Sequence, residues 1–162
     1  MSALTVRALM SSPVIAVAPD TPLPQIKRVL HAKNIRRVPV IERGRLVGII
    51  TLGDVRNASP SDATTLSIYE VCYLLDQVRA KDIMRTEVVT ISAEASVAEA
   101  AQAMLTHKVG GLPVVDGTQV VGLITESDLF RALVAGSVPL PRTVAVVTRE
   151  REAALTAAWP VV

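Results

Sequence analysis

Short runs of aliphatic residues alternate with helix-like segments along this chain, and the whole pattern occurs twice. Residues 14–17 and 88–91 are apolar runs of strand length. Each run is followed by apolar residues at helical spacing, over 23–30 and 97–105. Two more aliphatic runs then follow in each half, separated by turn residues. The pattern predicts two successive β-α-β-β-α units.

The two units are copies of one another. A shift of 74 residues aligns them without a gap and gives nine identities between positions 10 and 55. An ordered set of matches at one offset indicates an internal repeat. Among the matched pairs are Met10 with Met84, Val14 with Val88, Pro39 with Pro113, Gly48 with Gly122, Thr51 with Thr125 and Asp54 with Asp128.

Local signals set the expected element boundaries. Ser96 and Glu99 form a capping-box pattern at the start of the repeat 2 helix, whereas repeat 1 has Pro22 at that position and Thr21 as the expected cap. We expect strands over 38–41, 45–50, 112–115 and 119–124, and second helices starting near Thr51 and Thr125. The expected buried helix faces are Leu23, Ile26, Val29 and Leu30, and Val97, Ala100, Ala101, Met104 and Leu105.

The predicted organisation is repeat 1 over 1–60, a connector over 61–79 with a helix within 66–78, repeat 2 over 80–136, and a tail over 137–162. A single copy of about 50 residues buries too little surface to be stable, so the two sheets should pack on each other. Tyr69, Tyr73 and Cys72 in the connector helix are interpreted as packing residues. Pro139–Pro141 should break any helix, and the tail beyond holds a short helix over 148–158 or none, with Trp159 as an anchor.

Composition narrows the function classes. The chain has 17 Lys and Arg against 15 Asp and Glu, a formal charge of +2 that gives no basic stripe for nucleic acid. Cys72 is the single cysteine, no run approaches the about 18 apolar residues of a membrane span, and no basic-then-apolar leader opens the sequence. We therefore expect a cytoplasmic protein without a membrane or nucleic-acid partner.

The candidate chemistry lies in Gly48–Asp54 and Gly122–Asp128, where an aliphatic strand ends at Thr51 or Thr125 and a helix begins. The free N–H groups of a helix start attract phosphate oxygens. An Asp three residues after the Thr offers a carboxylate that accepts the two hydroxyl hydrogen bonds of a ribose. The same Thr and Asp also serve as ordinary helix caps without any ligand.

Two copies of an aliphatic strand, a helix, a Pro-containing strand and a closing Gly-h-h-Thr-x-x-Asp (h, hydrophobic) resemble the CBS domain, named for cystathionine β-synthase. The Met-containing lead-ins 6–10 and 80–84 are also similar to that family, and the resemblance covers about residues 3–135. It implies an α+β pair of repeats with pseudo-twofold symmetry, two clefts, and homodimerisation through helices. It also implies AMP, ADP, ATP or S-adenosylmethionine as a regulatory ligand, with no catalytic cofactor.

Matched by position, the resemblance implies that Thr51, Asp54, Thr125 and Asp128 contact ribose and phosphate, and that Ile15 and Val89 hold adenine. Arg36 and Arg37 precede the Pro-containing strand, where basic residues meet phosphates, whereas repeat 2 has Gly110 and Gly111 there, and Glu126 within its motif. We therefore expect unequal clefts, with Gly111 giving close backbone approach and phosphate recognition depending on Arg36 or Arg37, in their own repeat or across the pseudo-twofold axis. The alternative is that these arginines are solvated or salt-bridged.

Two function classes stay open, and catalysis is not expected. His31 and His107 lie near predicted helix ends, and no Ser-His-Asp set, metal-ligand cluster or phosphate loop accompanies them. The main expectation is a regulatory module that binds an adenosine-containing ligand and modulates a protein target that the sequence does not identify. The alternative is a ligand-free dimerisation or protein-docking module.

Overall fold

The structure is a computed structural model that describes residues 4–61 and 64–137 of the 162-residue chain. Over these residues the chain forms short helices and two small sheets, which confirms the predicted α+β class. The helices are α1 (Val6–Leu9), α2 (Leu23–Ala32), α3 (Leu52–Asn57), α4 (Ile68–Gln77), α5 (Ala80–Ile83), α6 (Val97–His107) and α7 (Glu126–Val134). The strands are β1 (Arg37–Glu42), β2 (Arg45–Thr51), β3 (Ile91–Ser92), β4 (Gly111–Asp116) and β5 (Gln119–Thr125).

Both sheets are built on the same hairpin. β1 pairs antiparallel with β2, and β4 pairs antiparallel with β5. The registers correspond across the repeat, since Val38 lies opposite Ile50 and Leu112 lies opposite Ile124. β3 adds a short parallel strand beside β4, and β2 contacts β5 between the sheets. The two repeats therefore pack sheet to sheet with pseudo-twofold symmetry, as predicted.

Each repeat has its own apolar core at matched positions. Ile50 in one core and Ile124 in the other are fully buried beneath α2 and α6 respectively. Burying such a side chain stabilises the fold by about 1.5–3 kcal/mol. The other buried residues at matched positions are Leu23, Ile26, Leu30, Val38 and Val40 in repeat 1, and Val97, Ala100, Met104, Leu112 and Val114 in repeat 2.

The segments that lead into the repeats are exchanged between them. Val6 of α1 is buried in the core of repeat 2, and Ala80 of α5 is buried in the core of repeat 1. Backbone hydrogen bonds fix both crossings: the Ser11 amide donates to the Leu123 carbonyl at 2.8 Å, and the Arg85 amide donates to the Ile49 carbonyl at 2.9 Å. Besides the covalent connector, the two repeats are thus held together by the backbone pairing of each lead-in with the other repeat.

The first strand of each repeat is much shorter than predicted. Residues 14–17 form only a single parallel bridge, from Val17 to Val40, and of 88–91 only Ile91 enters a strand, β3. The reason is that each segment first pairs with the other repeat, at Ser11 or Arg85, and reaches its own sheet only at Val17 or Ile91. Residues 12–16 and 86–90, the crossing segments of repeat 1 and repeat 2, make no backbone-to-backbone hydrogen bond with any described residue.

Several smaller expectations were wrong. Thr21 does not cap α2, because its Oγ1 accepts from the Ala18 amide at 3.1 Å and the helix starts after Pro22 without a side-chain cap. Leu105 is 75% exposed. Cys72, Tyr69 and Tyr73 lie exposed on α4, which buries no residue completely, so they are not core residues of a single chain.

Two local predictions were confirmed, and the predictions for the tail fall outside the described residues. The capping box of Ser96 and Glu99 forms as predicted, and the connector helix lies within 66–78. The expected break at Pro139–Pro141, the helix over 148–158 and Trp159 lie outside the described residues. No helix in the part of the chain that the structure describes is both long and apolar enough to cross a membrane.

Candidate functional site

Two clefts open between the repeats, one on each side of the pseudo-twofold axis. The larger, cleft 1, has a volume of about 640 Å³, and the smaller, cleft 2, about 390 Å³. Cleft 1 is lined by residues that include Arg37, Thr51, Arg85, Val89, Gly110 and Gly111. Cleft 2 is lined by residues that include Ile15, Arg36, Arg37, Gly110, Thr125 and Asp128.

Each cleft is a composite of both repeats. In cleft 1 the crossing segment of repeat 2, with Val89, faces the helix start at Thr51 of repeat 1. In cleft 2 the crossing segment of repeat 1, with Ile15, faces the helix start at Thr125 of repeat 2. This follows from the exchange of the lead-in segments, which carries each crossing segment past the other repeat's sheet. The motif residues of one repeat therefore face the crossing segment of the other.

The helix start at cleft 1 is held by a reciprocal capping box. The Thr51 amide and hydroxyl donate to Oδ2 of Asp54 at 2.8 and 2.6 Å, and the Asp54 amide donates back to Thr51 Oγ1 at 3.3 Å. Asp54 therefore lies just behind the cleft wall, in contact with two residues that line it, Thr51 and Arg85.

Arg85 reaches Asp54 from the lead-in of repeat 2. Its Nε and Nη2 donate to Oδ1 of Asp54 at 3.2 and 3.1 Å. Burial raises the pKa of the Asp54 carboxyl, but the hydrogen bonds from Thr51 and Arg85 outweigh that effect and hold the pKa below its ordinary value. With four donors on a carboxylate that has about four acceptor positions, Asp54 accepts another hydroxyl only if Arg85 withdraws.

The helix start at cleft 2 has a different arrangement. The Thr125 amide and hydroxyl donate to Oδ2 of Asp128 at 2.8 and 2.7 Å, but the arginine on Oδ1 is Arg131 of the same helix, at 2.8 Å. Asp128 is buried, with 4% of its surface exposed, yet it accepts only three hydrogen bonds from described groups. One acceptor position on its carboxylate remains open, unlike at Asp54.

Arg37 lies between the clefts and lines both. Its guanidinium covers the two glycines of repeat 2: a Cβ at Gly110 would lie 2.9 Å from Nη2, and one at Gly111 2.8 Å from Nη1. Burial lowers the pKa of the Arg37 guanidinium, Glu126 opposes that effect, and Arg36 adds to it. Arg37 forms no salt bridge within 4.0 Å of any described carboxylate.

The structure explains why the repeats differ at these positions. By the offset of 74, Gly111 is the counterpart of Arg37, and Gly110 that of Arg36. A side chain on either glycine would occupy the place of the Arg37 guanidinium. One arginine thus fills the space on the axis where strict symmetry would require two.

The sequence-predicted residues divide between the clefts. Arg37, Thr51, Val89 and Gly111 line cleft 1, with Asp54 behind it, and Ile15, Arg36, Arg37, Thr125 and Asp128 line cleft 2. Arg85 and Arg131 were missed. Arg131 lies three residues after Asp128, a helical spacing that the sequence displays, but nothing in the sequence places Arg85 against Asp54.

Three further ionisable side chains that line the clefts lie at helix ends. His107 and Lys108 lie at the end of α6 on the wall of cleft 1, and Glu126 lies on the wall of cleft 2. Among the described residues no cluster of three or more His, Cys, Asp or Glu side chains is placed to hold a metal ion.

Comparisons with known proteins agree with this architecture. The CBS domain family model matches residues 6–61 and 80–135. A CBS domain-containing protein of Dictyostelium discoideum is 36% identical over 138 residues, covering 84% of this chain and 95% of the relative. The crystal structure of the CBS domain pair of protein MJ0100, in complex with 5′-methylthioadenosine and S-adenosyl-L-methionine, is 27% identical with a TM-score of 0.68, covering 85% of this chain and all of the other.

A second solved structure is similar in extent. The CBS domain of a CBS domain-containing membrane protein from Sphaerobacter thermophilus is 30% identical with a TM-score of 0.67, covering 80% of this chain and 87% of the other. The fold therefore has counterparts in solved structures along most of the chain. The protein belongs to the CBS domain family and carries two CBS domains in tandem.

Proposed function

We propose that this chain is a regulatory module that binds an adenosine-containing ligand (AMP, ADP, ATP or S-adenosylmethionine) between its repeats and modulates a protein partner. The observation that supports the proposal most directly is that residues of both repeats line each cleft. Each joins a helix start bearing Thr and Asp from one repeat to an unpaired, partly aliphatic backbone segment from the other. A ligand that touches both sides changes how the repeats pack, which is what a sensor requires.

The parts of such a ligand have complementary groups on each wall. The crossing segments at Ile15 and Val89 offer aliphatic surface and backbone groups that no described residue engages, which suits an adenine ring. Asp128 offers an open acceptor position to a ribose hydroxyl. Arg37 is a half-buried cation without an ionic partner among the described residues, which favours an anion such as phosphate.

The solved structure of the MJ0100 domain pair supports this choice of ligand class. That pair is described in complex with two adenosine derivatives, and its identity to this chain is 27%. We assign no reaction to the module, because the clefts hold capping residues and basic side chains rather than a nucleophile paired with a base.

We further propose that the module acts as a homodimer in the cytoplasm. Phe130 and Val134 of α7 are 63% and 91% exposed, and Leu105 of the adjacent α6 is 75% exposed, an apolar surface that a second copy would cover. The compartment is proposed because Cys72 is the single cysteine and its thiol is exposed, which suits a reducing environment. The functional units are taken as repeats 1–60 and 80–136 with the connector 61–79.

Thermal unfolding with each candidate ligand tests the function. A ligand at about 100 times its dissociation constant should stabilise the protein by about 2.7 kcal/mol. Asp128→Asn should reduce the gain, because it removes the carboxylate charge while keeping an oxygen for the Thr125 amide. Asp76→Asn, on the exposed face of α4 and away from both clefts, is the matched control.

The outcomes separate the two function classes. A shift with one ligand that Asp128→Asn or Asp54→Asn reduces supports the sensor and identifies the cleft. If none of the four ligands shifts the transition, the sensor proposal is wrong, and the ligand-free dimerisation or docking module takes its place.

A further inference from the structure

We infer that Arg37 is a single anion-binding group shared by both clefts, so that an anionic ligand in one cleft weakens binding of a second in the other. The inference rests on the proposed function and concerns how the two sites regulate each other. The clefts have separate helix starts and separate crossing segments, but Arg37 and Gly110 belong to the walls of both.

The position of Arg37 is fixed by packing. Its Nη1 and Nη2 lie where Cβ atoms of Gly111 and Gly110 would stand, against the backbone of β4. Glu126 raises the pKa of Arg37, and its Oε2 would lie 3.2 Å from the same Cβ at Gly110, but the two side chains form no salt bridge within 4.0 Å. The guanidinium therefore lies against the start of β4, where Arg37 lines both clefts.

The other cations are not shared. Arg36 and Arg131 line cleft 2 alone, whereas Arg85 and Lys108 line cleft 1 alone. Arg131 and Arg85 are already paired with Asp128 and Asp54. Arg36 in cleft 2 and Lys108 in cleft 1 are therefore the cations that hold an anion there without Arg37, but more weakly. A guanidinium satisfies one phosphate with two parallel hydrogen bonds, so the first phosphate to bind takes that geometry and neutralises that charge. The second phosphate meets a cation whose charge is already neutralised and whose N–H donors are already used.

The sign of the coupling follows from this arrangement. A phosphate bound to Arg37 offsets the charge and uses the N–H donors that a phosphate in the other cleft needs, in a partly buried region where charges are weakly screened. Linkage makes the effect reciprocal: whichever cleft fills first, the other loses affinity by the same factor. A neutral ligand such as adenosine makes no use of Arg37 and should fill both clefts independently.

Two isoleucines give a separate signal for each cleft. Ile49 lines cleft 1 and Ile15 lines cleft 2. With ¹³C-labelled isoleucine methyl groups, NMR titration reports the occupancy of each cleft directly. Val89→Trp blocks cleft 1 while keeping the Ile15 probe, and Ile15→Trp blocks cleft 2 while keeping the Ile49 probe. Val88→Trp and Val14→Trp, at neighbouring lining positions of cleft 1 and cleft 2, serve in their place if either tryptophan variant fails to unfold cooperatively.

AMP and adenosine are the probe ligands. Blocking the cleft that AMP fills first should lower the AMP dissociation constant of the other cleft about tenfold, within the usual range of coupling energies. The same block should leave adenosine binding unchanged within about twofold. In Arg37→Ala the block should no longer affect AMP, whereas Arg36→Ala, the neighbouring arginine of cleft 2 alone, should keep the coupling.

Each other outcome has a distinct meaning. If both clefts bind AMP and blocking one leaves the other unchanged or weakens it, the shared-arginine inference is wrong while the proposed function stands. The inference is also wrong, with the proposed function intact, if the coupling persists in Arg37→Ala. If neither AMP nor adenosine shifts either methyl signal, the proposed function fails, and the inference fails with it.

Discussion

Two glycines show how single residues hold the repeats together. Gly48 and Gly122 are matched positions in β2 and β5, and both are buried. A Cβ at Gly48 would lie 2.6 Å from the Met84 sulfur, and one at Gly122 would lie 2.7 Å from the Met10 sulfur and 2.8 Å from the Ser11 carbonyl. The lead-in of the opposite repeat thus lies directly on each glycine.

We therefore predict that Gly122→Ala lowers the free energy of unfolding by about 1–3 kcal/mol, the usual cost of overpacking. The methionine can move, but the Ser11 carbonyl is fixed by its hydrogen bond with Leu123. Gly53→Ala is the control, because the nearest atom to its Cβ would be 3.6 Å away and alanine is the better helix former. Urea unfolding measures both, and equal stability of Gly122→Ala and wild type would contradict this account.

Asp54 gives the chain a pH dependence whose sign is set by its environment. Its pKa is lowered in the folded protein, so the unfolded chain binds more protons in the range just below its ordinary pKa of about 3.9. The stability that Asp54 contributes is present above that value and is lost as the pH falls through the folded pKa.

We predict that the gap in Tm between wild type and Asp54→Asn narrows as the pH is lowered from about 6 to 3, since only the wild type loses a charge-assisted interaction there. Calorimetry across that range measures it. Asp76→Asn is the control for the loss of one carboxylate, since its side chain is exposed and makes no ion pair with a described residue. A constant gap for Asp54→Asn would show that Arg85 and Thr51 do not stabilise the carboxylate.

For single residues, the sequence identified which side chains belong to the site better than it identified the residues that they contact. Thr51 and Thr125 with their aspartates could be found because a helix start and its cap are local, within four residues. The contact of Arg85 with Asp54 spans 31 residues and depends on the exchange of the lead-ins, which no local pattern encodes. The place of Arg37 depends likewise on the glycines of the other repeat.

Among the elements, the hairpins and the main helices could be predicted because their signals are periodic and local. β1, β2, β4 and β5 lie within about one residue of the predicted runs, and α6 starts at its predicted cap. The first strands could not be placed, because an aliphatic run of strand length does not say whether a neighbouring strand exists to pair with it. In this fold such a run lines a cleft instead.

The two matched helices differ in how they begin. Ser96 accepts from the Glu99 amide at 3.2 Å and Glu99 accepts from the Ser96 amide at 2.7 Å, whereas Pro22 gives α2 no side-chain cap. The start of α2 is held instead by tertiary contacts, since the Leu23 amide donates to the Val78 carbonyl at 2.9 Å.

We predict that Ser96→Ala destabilises the protein by about 1 kcal/mol, the usual value of an N-cap, because the Glu99 amide loses its acceptor and the Glu99 carboxylate loses the hydroxyl donor. Pro22→Ala, at the matched position, should cost less, because no cap is removed there. Chemical denaturation of both variants checks the order. If Pro22→Ala cost as much as Ser96→Ala, capping would not be the reason for either effect.

For the molecule as a whole, the exchange of lead-ins makes the repeats one cooperative unit. Each core includes residues from the other repeat's lead-in, such as Val6 and Ala80, which are fully buried. Removing either lead-in would open a core and a cleft together. The two clefts and their shared Arg37 are thus properties of the pair, which neither repeat of about 50 residues could provide alone.

The helical side of repeat 2 is one of two exposed apolar surfaces in the described chain, and α4 carries the other. Phe130 and Val134 are four residues apart on α7 and so share one face, where both are mostly exposed. A contiguous apolar surface on a folded domain marks an interaction site. A second copy related by a twofold axis would place the same face opposite itself, so a substitution there acts twice per dimer.

We predict that Phe130→Glu shifts the protein from dimer to monomer, because two buried carboxylates would face each other across the interface, while the fold of each chain stays intact. Light scattering coupled to size exclusion measures the mass, and thermal unfolding checks the fold. Tyr69→Glu, on the exposed side of α4, is the matched variant and should leave the dimer unchanged. A monomer with Tyr69→Glu and a dimer with Phe130→Glu would move the interface to α4, and a monomeric wild type would rule out the homodimer.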